Sequence, residues 1–130
     1  MKNQQTKIAI VDDHPLVREH LSGFIRNQGF NVVFNAENGL DCLSRMATID
    51  FQPDLCILDV RMPRMDGFAT ARQIRQTWPE VRILFYSTKR DSGTIEEALN
   101  SGGDAFLNKN CEPEEILDTI QSLLRRRDRN

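Results

Sequence analysis

The chain has 130 residues, 39% of them hydrophobic and 28% charged, the make-up of one globular domain with a single core. No apolar stretch nears the ~20 residues of a membrane-spanning helix, and a net charge of -2 leaves no basic footprint for nucleic acid. Cys42, Cys56 and Cys111 are odd in number and form no Cys-x-x-Cys pair, which argues against a disulfide framework or a zinc knuckle and fits a reducing cytoplasm.

Met1 to Lys7 is polar after Met1 and lacks the apolar segment of a secretory signal; residues 1–5 read as a polar tail. Ile8–Val11 is an unbroken β-favouring run that ends in Asp12-Asp13. Leu16, Val17, Leu21, Phe24 and Ile25 then share one helical face, with Pro15 at a first helical position and Gly29 as a stop. Val32-Val33-Phe34 predicts an edge strand, and Leu40, Leu43 and Met46 mark a second helix. Leu55–Leu58 is another unbroken run, and it ends in Asp59. Phe68, Ala71, Ile74 and Trp78 form a third helical stripe closed by Pro79. The run from Val81 to Phe85, interrupted only by Arg82, leads to Ser87. Ile95, Ala98 and Leu99 predict a short helix before Gly102-Gly103, and Ala105-Phe106-Leu107 predicts the other edge strand, followed by Lys109. Ile116, Leu117, Ile120, Leu123 and Leu124 make the last stripe, opened by Pro113-Glu114-Glu115 and closed by Arg125–Arg127, both complementing the helix dipole.

Unbroken apolar runs suit strands covered on both faces, and five strand–helix pairs in alternation predict a doubly wound α/β domain. In such sheets the functional crevice lies at the carboxyl edge of the strands. Four of the five predicted strands deliver a polar group to that rim: Asp12-Asp13, Asp59, Ser87 and Lys109. Three carboxylates in one place repel one another, and a hard cation with oxygen ligands, Mg²⁺ first, relieves the repulsion. A Lys and a hydroxyl opposite suit the oxygens of a transferring phosphoryl group. No Ser-His or Cys-His nucleophile is evident, so a carboxylate is the candidate nucleophile, and Asp59 ends the strand expected at the centre.

Asp12-Asp13, Asp59 within Asp59-Val60-Arg61-Met62-Pro63-Arg64-Met65-Asp66-Gly67, Ser87 and Lys109 together resemble the receiver domain of bacterial two-component response regulators. Val11-Asp12-Asp13-His14-Pro15-Leu16-Val17-Arg18 is similar to the subgroup that usually carries a helix-turn-helix output domain. The resemblance covers residues 6–125 and leaves 126–130 as a basic tail or the start of a linker. It implies a flavodoxin-like fold: a five-stranded parallel sheet in the order 2-1-3-4-5, flanked by five helices. It implies that Asp59 accepts a phosphoryl group from a sensor histidine kinase or phosphotransfer protein. Asp13, Asp59 and the main-chain carbonyl of Arg61 are then the ligands of Mg²⁺, with Mn²⁺ able to replace it, and Asp12 acts through water. Lys109 and Ser87 bind the phosphate, Ser87 and Phe106 act as the switch, and the surface of the fourth helix, fifth strand and fifth helix changes. The implied outputs are an effector protein, an output domain of its own if the chain is cut from a longer one, or a phosphorylation-dependent homodimer. Neither direct nucleic-acid binding nor membrane attachment is expected.

Three departures stand out. Asn110 follows Lys109 where the family usually has a Pro after a cis bond, so this loop is expected to be trans or strained. Phe106 lacks a hydroxyl, so its switching acts through packing alone. Arg61 and Lys89, each two residues past a site residue, are both basic and are expected to crowd the phosphate and lengthen its lifetime. His14 reads as a helix-entry residue and His20 as part of a solvated face. A haloacid dehalogenase-type phosphatase needs an acid two residues after its nucleophile, and Arg61 stands there. Neither Gly-x-Gly-x-x-Gly nor a P-loop motif occurs, which disfavours a nucleotide site. A docking module that is never phosphorylated is the remaining alternative.

Overall fold

The computed structural model describes residues 6–128, so the tail at 1–5 and the last two positions lie outside the described residues. Five strands alternate with five helices: β1 (Lys7–Val11), α1 (Pro15–Asn27), β2 (Asn31–Ala36), α2 (Gly39–Thr48), β3 (Leu55–Leu58), α3 (Gly67–Thr77), β4 (Arg82–Ser87), α4 (Ser92–Asn100), β5 (Ala105–Asn108) and α5 (Pro113–Asp128). The strands form one parallel sheet in the order β2-β1-β3-β4-β5. The expected fold class and strand order are therefore found. Residues 126–128, expected to begin the tail, continue α5.

Strand alternation divides the apolar runs between the two faces of the sheet. Ile8, Ile10, Leu55, Ile57 and Leu84 pack with Leu21 and Ile25 of α1 and with Ile116, Ile120 and Leu123 of α5. Ala9, Val11, Cys56, Leu58, Ile83 and Phe85 pack with Cys42 and Met46 of α2, Ala71 and Ile74 of α3, and Ala98 of α4. Each fully buried large aliphatic side chain contributes roughly 1.5–3 kcal/mol, and β1, β3 and β4 carry most of them. The three strands that end in site residues are thus the most firmly held.

The helical stripes need three corrections. Leu16, in the first turn of α1, is 80% exposed, and the helix is seated instead on Leu21 and Ile25. Leu40 and Leu99 are also exposed; α2 turns Cys42 and Met46 inward, and α4 is seated on Ala98. Pro15 opens α1 as expected, and Gly29, just past its end, adopts φ 93, a left-handed conformation that glycine takes at no steric cost. Asn38, Asp66 and Asp91 cap α2, α3 and α4 through their side chains.

Candidate functional site

β1 and β3 are neighbours at the centre of the sheet and end on the paired residues Val11 and Leu58, so Asp12 and Asp59, which follow them, come side by side. The Asp59 N–H donates to the Val11 carbonyl at 2.9 Å, and the Asp12 N–H donates to the Ala36 carbonyl at 3.0 Å. The backbone beneath both acids is therefore held by continuations of the sheet. Gly67, which opens α3, comes so close that a Cβ there would stand 2.1 Å from the Asp59 carbonyl oxygen. Its N–H donates to the Val60 carbonyl at 2.8 Å, which fixes the loop after Asp59.

From the other side of the sheet, Lys109 reaches in from the loop after β5. Its Nζ lies 2.7 Å from Asp12 Oδ2 and 3.3 Å from Asp59 Oδ2, and all three side chains are at least nine-tenths buried. Asp59 Oδ1 accepts the Val60 N–H at 2.8 Å. Burial, and then the charge of Asp12, push the Asp59 carboxyl up to about 6, while the Lys109 ammonium pulls the other way. Asp59 is consequently mostly ionised at neutral pH, but poorly compensated.

Asp13 completes the acidic group. Its Oδ1 is buried and, among the described residues, has no hydrogen-bond partner. His14 Nδ1 stands 3.1 Å from it but is directed at Asp12 Oδ1, also at 3.1 Å, which it can hydrogen-bond. Ligand atoms of Asp12, Asp13, His14 and Asp59 all lie within 4.8 Å of one another. Three clustered carboxylates, two of them on one ammonium, with a buried oxygen left without a donor, form a donor set that fits a hard divalent cation. The neighbouring Arg18 donates to the Asp12 carbonyl at 2.6 Å and, among the described residues, forms no ion pair with the carboxylates.

Ser87 ends β4 and is buried, with its hydroxyl accepting the Lys89 N–H at 3.1 Å. Phe106 is half-buried against the core face that holds α2, α3 and α4, and it lines a shallow cavity of about 420 Å³ with Ile95 and Glu115. Asp12, Asp13, Asp59 and Lys109 are thus brought together, with Ser87 at the end of the strand next to β3. Arg61 and Lys89 are both exposed, and among the described residues neither forms an ion pair with the acids. The described residues contain no cis peptide bond, so the Lys109–Asn110 bond is trans, one of the two forms expected.

The sequence reading missed three contributors. His14 stands at the N-cap position of α1 but makes no side-chain cap, and turns onto the acids instead. Gly67 stood only as the last residue of the motif that begins at Asp59, although Asp-Gly directly before an apolar helical stripe hinted at a tight approach. Asn108, at the end of β5, bonds to the loop after β4; nothing in its local sequence points to this.

The response regulator receiver domain model matches residues 8–121. The chain belongs to this family. It is thereby a receiver domain of the kind found in two-component signalling. It is 34% identical over 119 residues to the transcriptional activator protein ExaE of Pseudomonas putida, covering 90% of this chain and 54% of that protein. It is 29% identical over 115 residues to the chemotaxis protein CheY of Listeria monocytogenes, covering 88% and 95%. Among solved structures, the signal receiver domain of NarL from Mycobacterium tuberculosis superposes with a TM-score of 0.84 at 30% identity, covering 92% of this chain and 96% of that one. The receiver domain thus spans about half the length of relatives such as ExaE, but nearly all of CheY. No helix among the described residues is long and apolar enough to cross a membrane.

Proposed function

We propose that the chain is a phosphorylation-dependent switch in which Asp59 accepts a phosphoryl group from a sensor histidine kinase or phosphotransfer protein. The observation that carries this reading is the buried Asp12–Lys109–Asp59 contact beside the unpartnered oxygen of Asp13. Asp13, Asp59 and the Arg61 main-chain carbonyl would hold Mg²⁺, with Mn²⁺ as a substitute and Asp12 acting through water. When bound, the ion neutralises carboxylate and phosphate charge.

Asp59 Oδ2 is the oxygen that faces Lys109, and Oδ1 is kept in place by the Val60 N–H. One carboxylate oxygen attacks the phosphorus of the donor phosphohistidine; the O–P bond forms as the P–N bond breaks, and the electron pair leaves with the imidazole. Lys109 then transfers its contact from the carboxylates to the new phosphate oxygens, which stabilises the charge that builds there. Ser87 turns from the Lys89 N–H to the phosphate, and Phe106 moves into the space it leaves. The face made by α4, β5 and α5 changes as a result and alters an output: an effector protein, an output domain of a longer protein, or a second copy of the chain. Relatives such as the transcriptional activator ExaE, of which this chain covers 54%, support the second of these outputs. Self-dephosphorylation is slow, with Arg61 and Lys89 restricting the attacking water. The free cysteines and the family of signalling relatives support action in the cytoplasm.

The test is a two-dimensional NMR titration with beryllofluoride, a phosphoryl mimic, in the presence of Mg²⁺. Shifts at the acids, Ser87 and the face from α4 to α5 are expected. Shifts confined to the acidic loops overturn the switch, and no binding overturns the phosphoacceptor role in favour of a docking module.

A further inference from the structure

The proposed reaction brings Ser87, at the end of β4, and Lys109, in the loop after β5, to one phosphoryl group, and the Asn108 side chain adds to the backbone tie between these two segments. Ser87 and Asn108 are register partners at the ends of β4 and β5. The Lys109 N–H extends the ladder by donating to the Ser87 carbonyl at 2.8 Å. Asn108 Nδ2 donates to the Ser87 carbonyl at 3.3 Å and to the Thr88 carbonyl at 3.2 Å. On its other side, Asn108 Oδ1 accepts the Asn110 N–H at 2.9 Å. Only this orientation sets the NH₂ group against two carbonyls and the oxygen against an N–H, so the network itself assigns the amide.

The two sides of the amide differ in strength. The Oδ1 bond has the usual N–H···O length, whereas the two Nδ2 bonds lie at or beyond the long end of the range. Asn108 is therefore firmly seated on its own turn and loosely attached to the loop after β4. That loop holds the Ser87 hydroxyl on the Lys89 N–H. A movement of Ser87 toward Asp59 that includes its backbone carries the Ser87 and Thr88 carbonyls with it, and so strains both Nδ2 bonds. Resting on the phosphoryl-switch reading, we infer that Asn108 is a positioning residue that latches the Ser87–Thr88 loop in its present place, and that seating a phosphoryl group at Asp59 opens the latch.

Removing the latch makes the phosphoryl-bound arrangement easier to reach without touching the acids. The test compares wild type, Asn108→Ala and Asn108→Asp by calorimetric titration with beryllofluoride in excess Mg²⁺, and with Mg²⁺ alone. Asn108→Asp keeps the acceptor for the Asn110 N–H but loses both donors to the loop, so it separates the latch from a role in shaping the turn. Both variants are expected to bind beryllofluoride about fivefold more tightly, as loss of two weak neutral hydrogen bonds implies, with Mg²⁺ affinity unchanged. Unchanged or weaker binding by both overturns the inference, and so does an Asn108→Asp variant that behaves as wild type. Absence of binding by the wild type overturns the switch reading itself, and the latch falls with it. If a variant does not fold, the wild type alone decides: hydrogen exchange of the Asn108 side-chain amide should accelerate when beryllofluoride binds, and unchanged protection overturns the latch.

Discussion

Replacing Asp59 with Asn should stabilise the metal-free protein at neutral pH, although it removes the proposed phosphoacceptor. The carboxyl is pushed from 3.8 to about 6, first by burial and then by Asp12, against the pull of Lys109. That displacement corresponds to about 3 kcal/mol of disfavoured ionisation, at roughly 1.4 kcal/mol for each pH unit. The pocket opens to solvent at Asp13, whose side chain is 29% exposed, and screening there reduces the effect to about 1–2 kcal/mol. Because the folded state binds this proton more tightly than the unfolded chain, the Asp59 contribution favours folding fully below pH 4 and is lost as pH rises through about 6. Asn carries no charge at any pH. Asp59→Asn should therefore match wild type near pH 4 and exceed it by about 1–2 kcal/mol at pH 7.5, or about 4–8 °C in Tm for a domain of this size. Urea unfolding at both pH values, with chelator present, measures the difference. A variant less stable than wild type at pH 7.5, or an equal difference at both pH values, refutes the argument that the site stores uncompensated charge.

Lys109→Ala leaves Asp12 and Asp59 buried without their ammonium, and should cost about 3 kcal/mol in metal-free urea unfolding, less when Mg²⁺ is added. An equal loss with and without Mg²⁺ contradicts this. Gly67→Ala places a Cβ 2.1 Å from the Asp59 carbonyl and should cost about 2 kcal/mol or more by the same assay; a neutral effect shows that the loop yields. Lys89→Ala combined with Arg61→Ala should shorten the phosphoryl lifetime, followed by loss of the phosphorylated mass after the donor is removed. An unchanged lifetime removes both residues from that role.

Most of what positions the site was readable in the residues, because burial on both faces forces unbroken apolar runs and the runs end in charged groups. Ile8–Val11 before Asp12 and Leu55–Leu58 before Asp59 are the plainest cases. The inward faces of the helices were less legible: Leu16, Leu40 and Leu99 fit the period but face outward, since spacing alone does not say which arc of a short helix meets the sheet. Ser22 fills a buried place that a hydrophobic count overlooks. Contacts between loops were not legible at all. Asn108 meets carbonyls twenty and twenty-one positions earlier, and His14 turns toward Asp12 and Asp13 instead of capping α1. Such pairings depend on β5 lying beside β4 and on the path of the β1–α1 loop, which no local pattern encodes.

Whether Asp59 is a metal-dependent phosphoacceptor is decided by intact mass after incubation with acetyl phosphate. Wild type with Mg²⁺, wild type with chelator, and Asp59→Asn with Mg²⁺ are compared. One phosphoryl adduct is expected in the first sample and none in the other two. An adduct that persists in Asp59→Asn or without the metal, or no adduct on wild type that also fails to bind beryllofluoride, contradicts that role.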